Sequence, residues 1–84
     1  MKFYVYMLKT LEGFSNKTYV GYTIDIDKRL AEHNKGKGAK STRGYQWKVI
    51  YKKSFKLKTK ALSFEYMLKK DRNKRMLILK NEKY

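Results

Sequence analysis

Two runs rich in aromatic and β-branched residues, KFYVYMLKT (2–10) and TYVGYT (18–23), are separated only by LEGFSNK. Such runs favour a pleated, half-buried backbone, and the Gly, Ser and Asn between them read as a loop. Strands this close along a chain pair most readily as antiparallel neighbours. The hairpin commits the start of the chain to a sheet that the remaining residues must complete and cover. Gly21, near the end of the second run, signals a kink or a close approach to the backbone.

The rest of the chain supplies what the hairpin lacks. DIDKRLAEHN (25–34) predicts a short helix capped by Asp25. Ile26 and Leu30 lie one turn apart toward the core, and Arg29 and His33 lie one turn apart on the edge of that face. KGKGAKSTRG (35–44) reads as a loop that is mobile unless a ligand holds it. QWKVIYKKSF predicts a third strand, and KTKALSFEYMLKK a second helix with Thr59 as its cap. DRNKRMLILKN predicts a short third helix, although MLIL alone is compatible with a strand. The expected fold is α+β: a small three-stranded antiparallel sheet flanked by helices, in the order β-β-α-β-α-α, as one domain over residues 1–84.

Composition narrows the function. There is no Cys and a single His, which excludes disulfides and the usual zinc sites. No run approaches the ~20 apolar residues of a membrane span, and the N-terminal segment reads as a strand rather than a signal peptide. The expected location is the cytoplasm, with no membrane partner. Lys plus Arg number 22 against 7 acids, a net charge of +15, which points to a polyanion such as nucleic acid. The charge is uneven. No acid occurs from Asn34 to Phe64, a stretch that carries Lys35, Lys37, Lys40 and Arg43 among ten cations. Such a segment attracts phosphates.

One acid is out of place. On a helical wheel Ala61, Leu62, Phe64 and Leu68 share an arc, and Glu65 falls inside it. A carboxylate on an apolar arc is costly unless something compensates it. Pairing with one of the many lysines is one explanation. A metal-binding carboxylate is the other, since Mg²⁺ accepts one or two carboxylates together with water and phosphate oxygens. The remaining acids, Glu12, Asp25, Asp27, Glu32, Asp71 and Glu82, are scattered, which disfavours a two-metal centre and favours a single ion assisted by Arg and Tyr. Of the eight tyrosines, most suit sheet packing. Tyr6 and Tyr19 stand apart because they occupy the two paired strands, so their phenols can converge. A phenol is a poor base at neutral pH, but a neighbouring Arg and a metal favour the phenolate.

With these residues in view, YVY at 4–6 followed by YVG at 19–21 resembles the paired motif of the GIY-YIG nuclease superfamily. DIDKRLAEHNKGKGAKSTRG and ALSFEYMLKK are similar to its short stand-alone branch, related to structure-specific DNA nucleases. The likeness runs from about Lys2 to Leu79. The first Gly of the motif is Tyr4 here, and the Ile positions are Val5 and Val20. Asn73 and Asn81 do not align convincingly with the further Asn of some relatives. The resemblance implies a sheet flanked by helices and divalent-metal-dependent cleavage of DNA phosphodiesters. It implies catalytic roles for Tyr6, Tyr19, Arg29, His33 and Glu65, with Glu65 the metal ligand.

The expectation is therefore a DNA endonuclease with one Mg²⁺ or Mn²⁺ ion and with Lys35, Lys37, Lys40 and Arg43 on the DNA backbone. Branched or single-stranded DNA is the candidate substrate, repair or recombination the setting, and a protein partner is an open option. The alternatives are a nucleic-acid-binding module that does not cut and, more weakly, a basic RNA-associated protein.

Overall fold

The computed structural model describes residues 1–82. Lys83 and Tyr84, the end of the expected 1–84 domain, lie outside the described residues. The elements are β1 (Phe3–Thr10), β2 (Thr18–Thr23), α1 (Ile26–Asn34), a 3₁₀ turn at Lys40–Thr42, β3 (Trp47–Phe55), α2 (Lys58–Lys70) and α3 (Arg72–Lys80). The sheet is antiparallel throughout, in the order β2-β1-β3. The α+β fold and the element order expected from the sequence are present, and MLIL lies in a helix.

Because side chains alternate across a strand, the central strand feeds two cores. Val5 and Met7 join Val20, Ile50, Ala61 and Leu68 beneath α2 and α3. Tyr6 and Leu8 face the other way, join Trp47, and pack with Tyr19, Ile26 and Leu30 against α1. The β1–β3 register slips between Met7 and Leu8. Met7 pairs with Tyr51 and Leu8 with Val49, leaving Ile50 as the extra residue of a bulge. The bulge lets Ile50 enter the α2 side while Val49 and Trp47 stay on the α1 side.

Asp25 caps α1, its carboxylate accepting the Lys28 N–H at 3.1 Å, and Asp71 caps α3 through the Lys74 N–H at 3.0 Å. The expected Thr59 cap is not formed. Leu57 occupies the cap position with no side-chain bond, and Thr59 sits one residue inside the helix. This helix start rests instead on the burial of Ala61. Leu62, placed on the apolar arc by the wheel, is exposed, while Ala61 and Leu68 are fully buried and Phe64 is half-buried. The core takes the narrower arc, leaving Glu65 at its rim with 19% of its side chain exposed.

The basic loop after α1 is not the free segment expected from its glycines. Its 3₁₀ turn buries Thr42 completely. The Trp47 indole N–H donates to the Thr42 carbonyl at 3.0 Å. The Asn34 carboxamide accepts the Trp47 N–H at 2.7 Å and donates to the Trp47 carbonyl at 3.2 Å. The end of α1, the loop and the start of β3 are thus stitched together.

Candidate active site

The site forms where β1, β2 and α1 meet. Tyr6, on the central strand, is paired with Gly21 on β2, and its ring lies across that glycine. A Cβ at residue 21 would stand 2.5 Å from Tyr6 Cζ and 2.9 Å from Tyr19 Cε2. The close approach anticipated at Gly21 is therefore made by the Tyr6 side chain. On α1, His33 is fully buried rather than at the edge of the core face. Its Nε2 lies 2.8 Å from Tyr6 Oη, and its Nδ1 lies 2.8 Å from Thr42 Oγ1. Gly38 crosses the far side of the imidazole, where a Cβ would come within 2.8 Å of Cε1. Tyr19 flanks the pair from the more open side, its ring 5.0 Å from the His33 ring and 6.3 Å from that of Tyr6.

Arg29, one turn before His33, is half-buried and ion-paired with Glu32 at 3.0 Å. The guanidinium also lies near Tyr6 and lowers its pKa, but burial is the larger effect. With smaller contributions from Tyr19 and Glu65 in the same direction as burial, the Tyr6 phenol is pushed up to about 12. The expectation that Arg29 favours the phenolate is thus outweighed, because desolvation penalises the charged form. Burial likewise pushes His33 below its ordinary value, with help from the Arg29 charge. At neutral pH the pair is a neutral phenol against a neutral imidazole.

Glu65 approaches from α2. Its Oε2 is 3.2 Å from Lys69 Nζ, and its side chain is 19% exposed. A carboxylate that still reaches solvent at its rim suits a hard cation that takes its other ligands from water and phosphate. Among the described residues no three of His, Asp and Glu come together. Lys35, Lys37, Lys40 and Arg43 are all exposed on the loop whose inner side holds His33. Asn81 is spent on the Leu77 carbonyl, and Asn73 lines a surface groove on α3. Thr42, Gly38 and Asn34 were not singled out from the sequence. Gly38 carried the general signal of a glycine-rich loop, whereas Thr42 carried none.

A model of the GIY-YIG catalytic domain matches residues 2–79. The chain belongs to the GIY-YIG family. Among its relatives, a UPF0213 protein of Streptococcus pneumoniae is 46% identical over 70 residues, covering 82% of this chain and 68% of that one. A UPF0213 protein of Streptococcus agalactiae is 38% identical over 82 residues, covering 95% and 90%. The solution NMR structure of a UPF0213 protein from Bacillus halodurans superposes with a TM-score of 0.52 at 36% identity, covering 95% of this chain and 84% of that one. Tyr6, Tyr19, Arg29, His33 and Glu65 all lie within the matched residues. No helix among the described residues is long and apolar enough to cross a membrane.

Proposed function

We propose that this GIY-YIG chain is a divalent-metal-dependent endonuclease that hydrolyses DNA phosphodiester bonds in the cytoplasm. The observation that carries this reading is the buried hydrogen bond between Tyr6 Oη and His33 Nε2, with Arg29 and Glu65 in electrostatic reach of the same oxygen. A pKa of about 12 leaves roughly one phenolate in 10⁵ at neutral pH, too few for Tyr6 to act as a preformed base. The His33 bond removes that difficulty. As Tyr6 Oη takes a proton from the attacking water, Tyr6 passes its own proton to His33 Nε2, and no free phenolate forms. The water oxygen bonds to phosphorus, the bond to the leaving nucleoside oxygen breaks, and that oxygen takes a proton from solvent. Arg29 stabilises the charge that builds on the phosphoryl oxygens. Glu65 is the residue to hold one Mg²⁺ or Mn²⁺ ion, which when bound draws charge from the phosphate. Tyr19 lines the entrance, and Lys35, Lys37, Lys40 and Arg43 hold the flanking backbone.

The test is cleavage of labelled duplex, single-stranded, flap and four-way-junction DNA with Mg²⁺, Mn²⁺ or EDTA, for wild type and Glu65→Gln. Metal-dependent cutting that is lost in Glu65→Gln while DNA binding persists is the expected result. The same panel ranks branched against single-stranded substrates, and with them a place in repair or recombination. Undiminished cutting by Glu65→Gln refutes the assignment of Glu65. Tight binding without cutting, indifferent to metal and to Glu65, identifies a binding module instead.

A further inference from the structure

The hydrogen bonds around His33 can be arranged in two ways. Thr42 Oγ1 lies 2.8 Å from His33 Nδ1 and 2.8 Å from the Ala39 carbonyl oxygen. In the first arrangement the Thr42 hydroxyl donates to Ala39, His33 Nδ1–H donates to Thr42 Oγ1, and the Tyr6 hydroxyl donates to Nε2. All three donors are used, and every bond runs in one direction, from Tyr6 toward Ala39. In the second arrangement the Thr42 hydroxyl turns to Nδ1 and Nε2–H donates to Tyr6. That leaves the Tyr6 proton without an acceptor among the described side chains and gives up the bond to Ala39. Tyr6, His33 and Thr42 are each at most 2% exposed. Losing a hydrogen bond in such a place is costly, and the first arrangement has one more.

We propose that Thr42 is a positioning residue that holds His33 as its Nδ1–H tautomer and so leaves Nε2 to receive the Tyr6 proton. Its part in the reaction rests on the nuclease reading above; the tautomer does not. The partner of one imidazole nitrogen decides which nitrogen carries the proton. With Nε2 already protonated, Tyr6 would face a donor and have nowhere to send its proton. Thr42 is anchored from both sides, since its N–H and hydroxyl both bond to Ala39 and its carbonyl accepts the Trp47 indole N–H. The same short segment carries Lys37, Lys40 and Arg43 on its exposed side.

His33 is the only histidine in the chain, so its imidazole ¹⁵N resonances need no assignment. The experiment compares these resonances at neutral pH in wild type, Thr42→Val and Thr42→Ser, alongside kcat and KM for DNA cleavage with Mg²⁺. Wild type is expected to show Nδ1 protonated and Nε2 bare. Thr42→Val keeps the shape, removes the acceptor, and is expected to shift His33 toward the Nε2–H form. It should lower kcat at least tenfold with little change in KM, and Thr42→Ser should restore both readouts. An Nε2–H signal in wild type overturns the proposal even if Thr42→Val fails to fold, as does an unchanged tautomer in a folded Thr42→Val. Tyr6→Phe supplies a second check, because the tautomer should persist without Tyr6 if Thr42 sets it. A wild type with the expected tautomer that cuts no DNA sinks the nuclease reading and leaves the assignment of Thr42 standing.

Discussion

Tyr6 and Tyr19 look alike in their local sequence, and the fold gives them opposite environments. Tyr6 is buried on the central strand and bonded to His33, whereas Tyr19 is half-exposed at the edge. The difference is measurable as pH-dependent stability. The folded state keeps the Tyr6 proton up to about 12, while an unfolded tyrosine releases it near 10. Between these values the unfolded chain binds fewer protons, so stability falls as pH rises through that window. His33 works in the other direction. Its folded pKa is lowered, so as pH falls below about 6.5 the unfolded chain takes up the proton first and stability drops. Urea midpoints followed across pH should show a shallower alkaline decline in Tyr6→Phe than in wild type. His33→Gln should lose the acid decline that begins near 6.5. Identical profiles would mean that neither group is buried in its neutral form. At this scale the sequence named five candidate residues, and the structure brings Tyr6, Tyr19, Arg29 and His33 together with Glu65 within electrostatic reach. Thr42 stayed invisible because nothing in KSTRG distinguishes a buried threonine from an exposed serine.

Among the elements, α1 carries more of the site than any other, and its placement depends on its last residue. Asn34 joins α1 to both backbone groups of Trp47. That junction also positions the loop that returns Thr42 to His33. Asn34→Ala leaves the Trp47 N–H and carbonyl short of partners and should cost about 1–3 kcal/mol, read as a lowered urea midpoint. It should also loosen the loop, seen as faster amide exchange from Gly38 to Arg43. A stability loss with unchanged exchange would show that the loop is held by Thr42 alone. Element order was legible in the sequence because periodicity and turn residues act locally. The order of the loop was not, since a glycine-rich basic segment has the composition of a mobile one.

On the whole molecule, the surface charge and the buried candidate site are separable. The exposed cations Lys37, Lys40 and Arg43 stand apart from the buried Tyr6–His33–Thr42 chain. DNA binding driven by phosphate contacts should weaken steeply with salt. Lys37→Ala together with Lys40→Ala should reduce the slope of log K against log salt by about 2, leaving the His33 tautomer as it was. An unchanged slope would move the binding surface elsewhere, with the exposed lysines of β3 and the start of α2 next in line. The net charge of +15 anticipates a polyanion without saying which face receives it.

By itself the sequence determined the order of strands and helices, the excess of positive charge, the family and the residue types from which a site could be built. These depend on near neighbours along the chain or on plain counts. Only the tertiary structure decided which tyrosine meets the histidine, that His33 is sealed from water, and that a threonine nine residues later faces its other nitrogen. Burial and proton direction depend on what packs against a group from distant parts of the chain. The same tyrosine has an ordinary pKa near 10 in water and about 12 beneath Gly21 and α1.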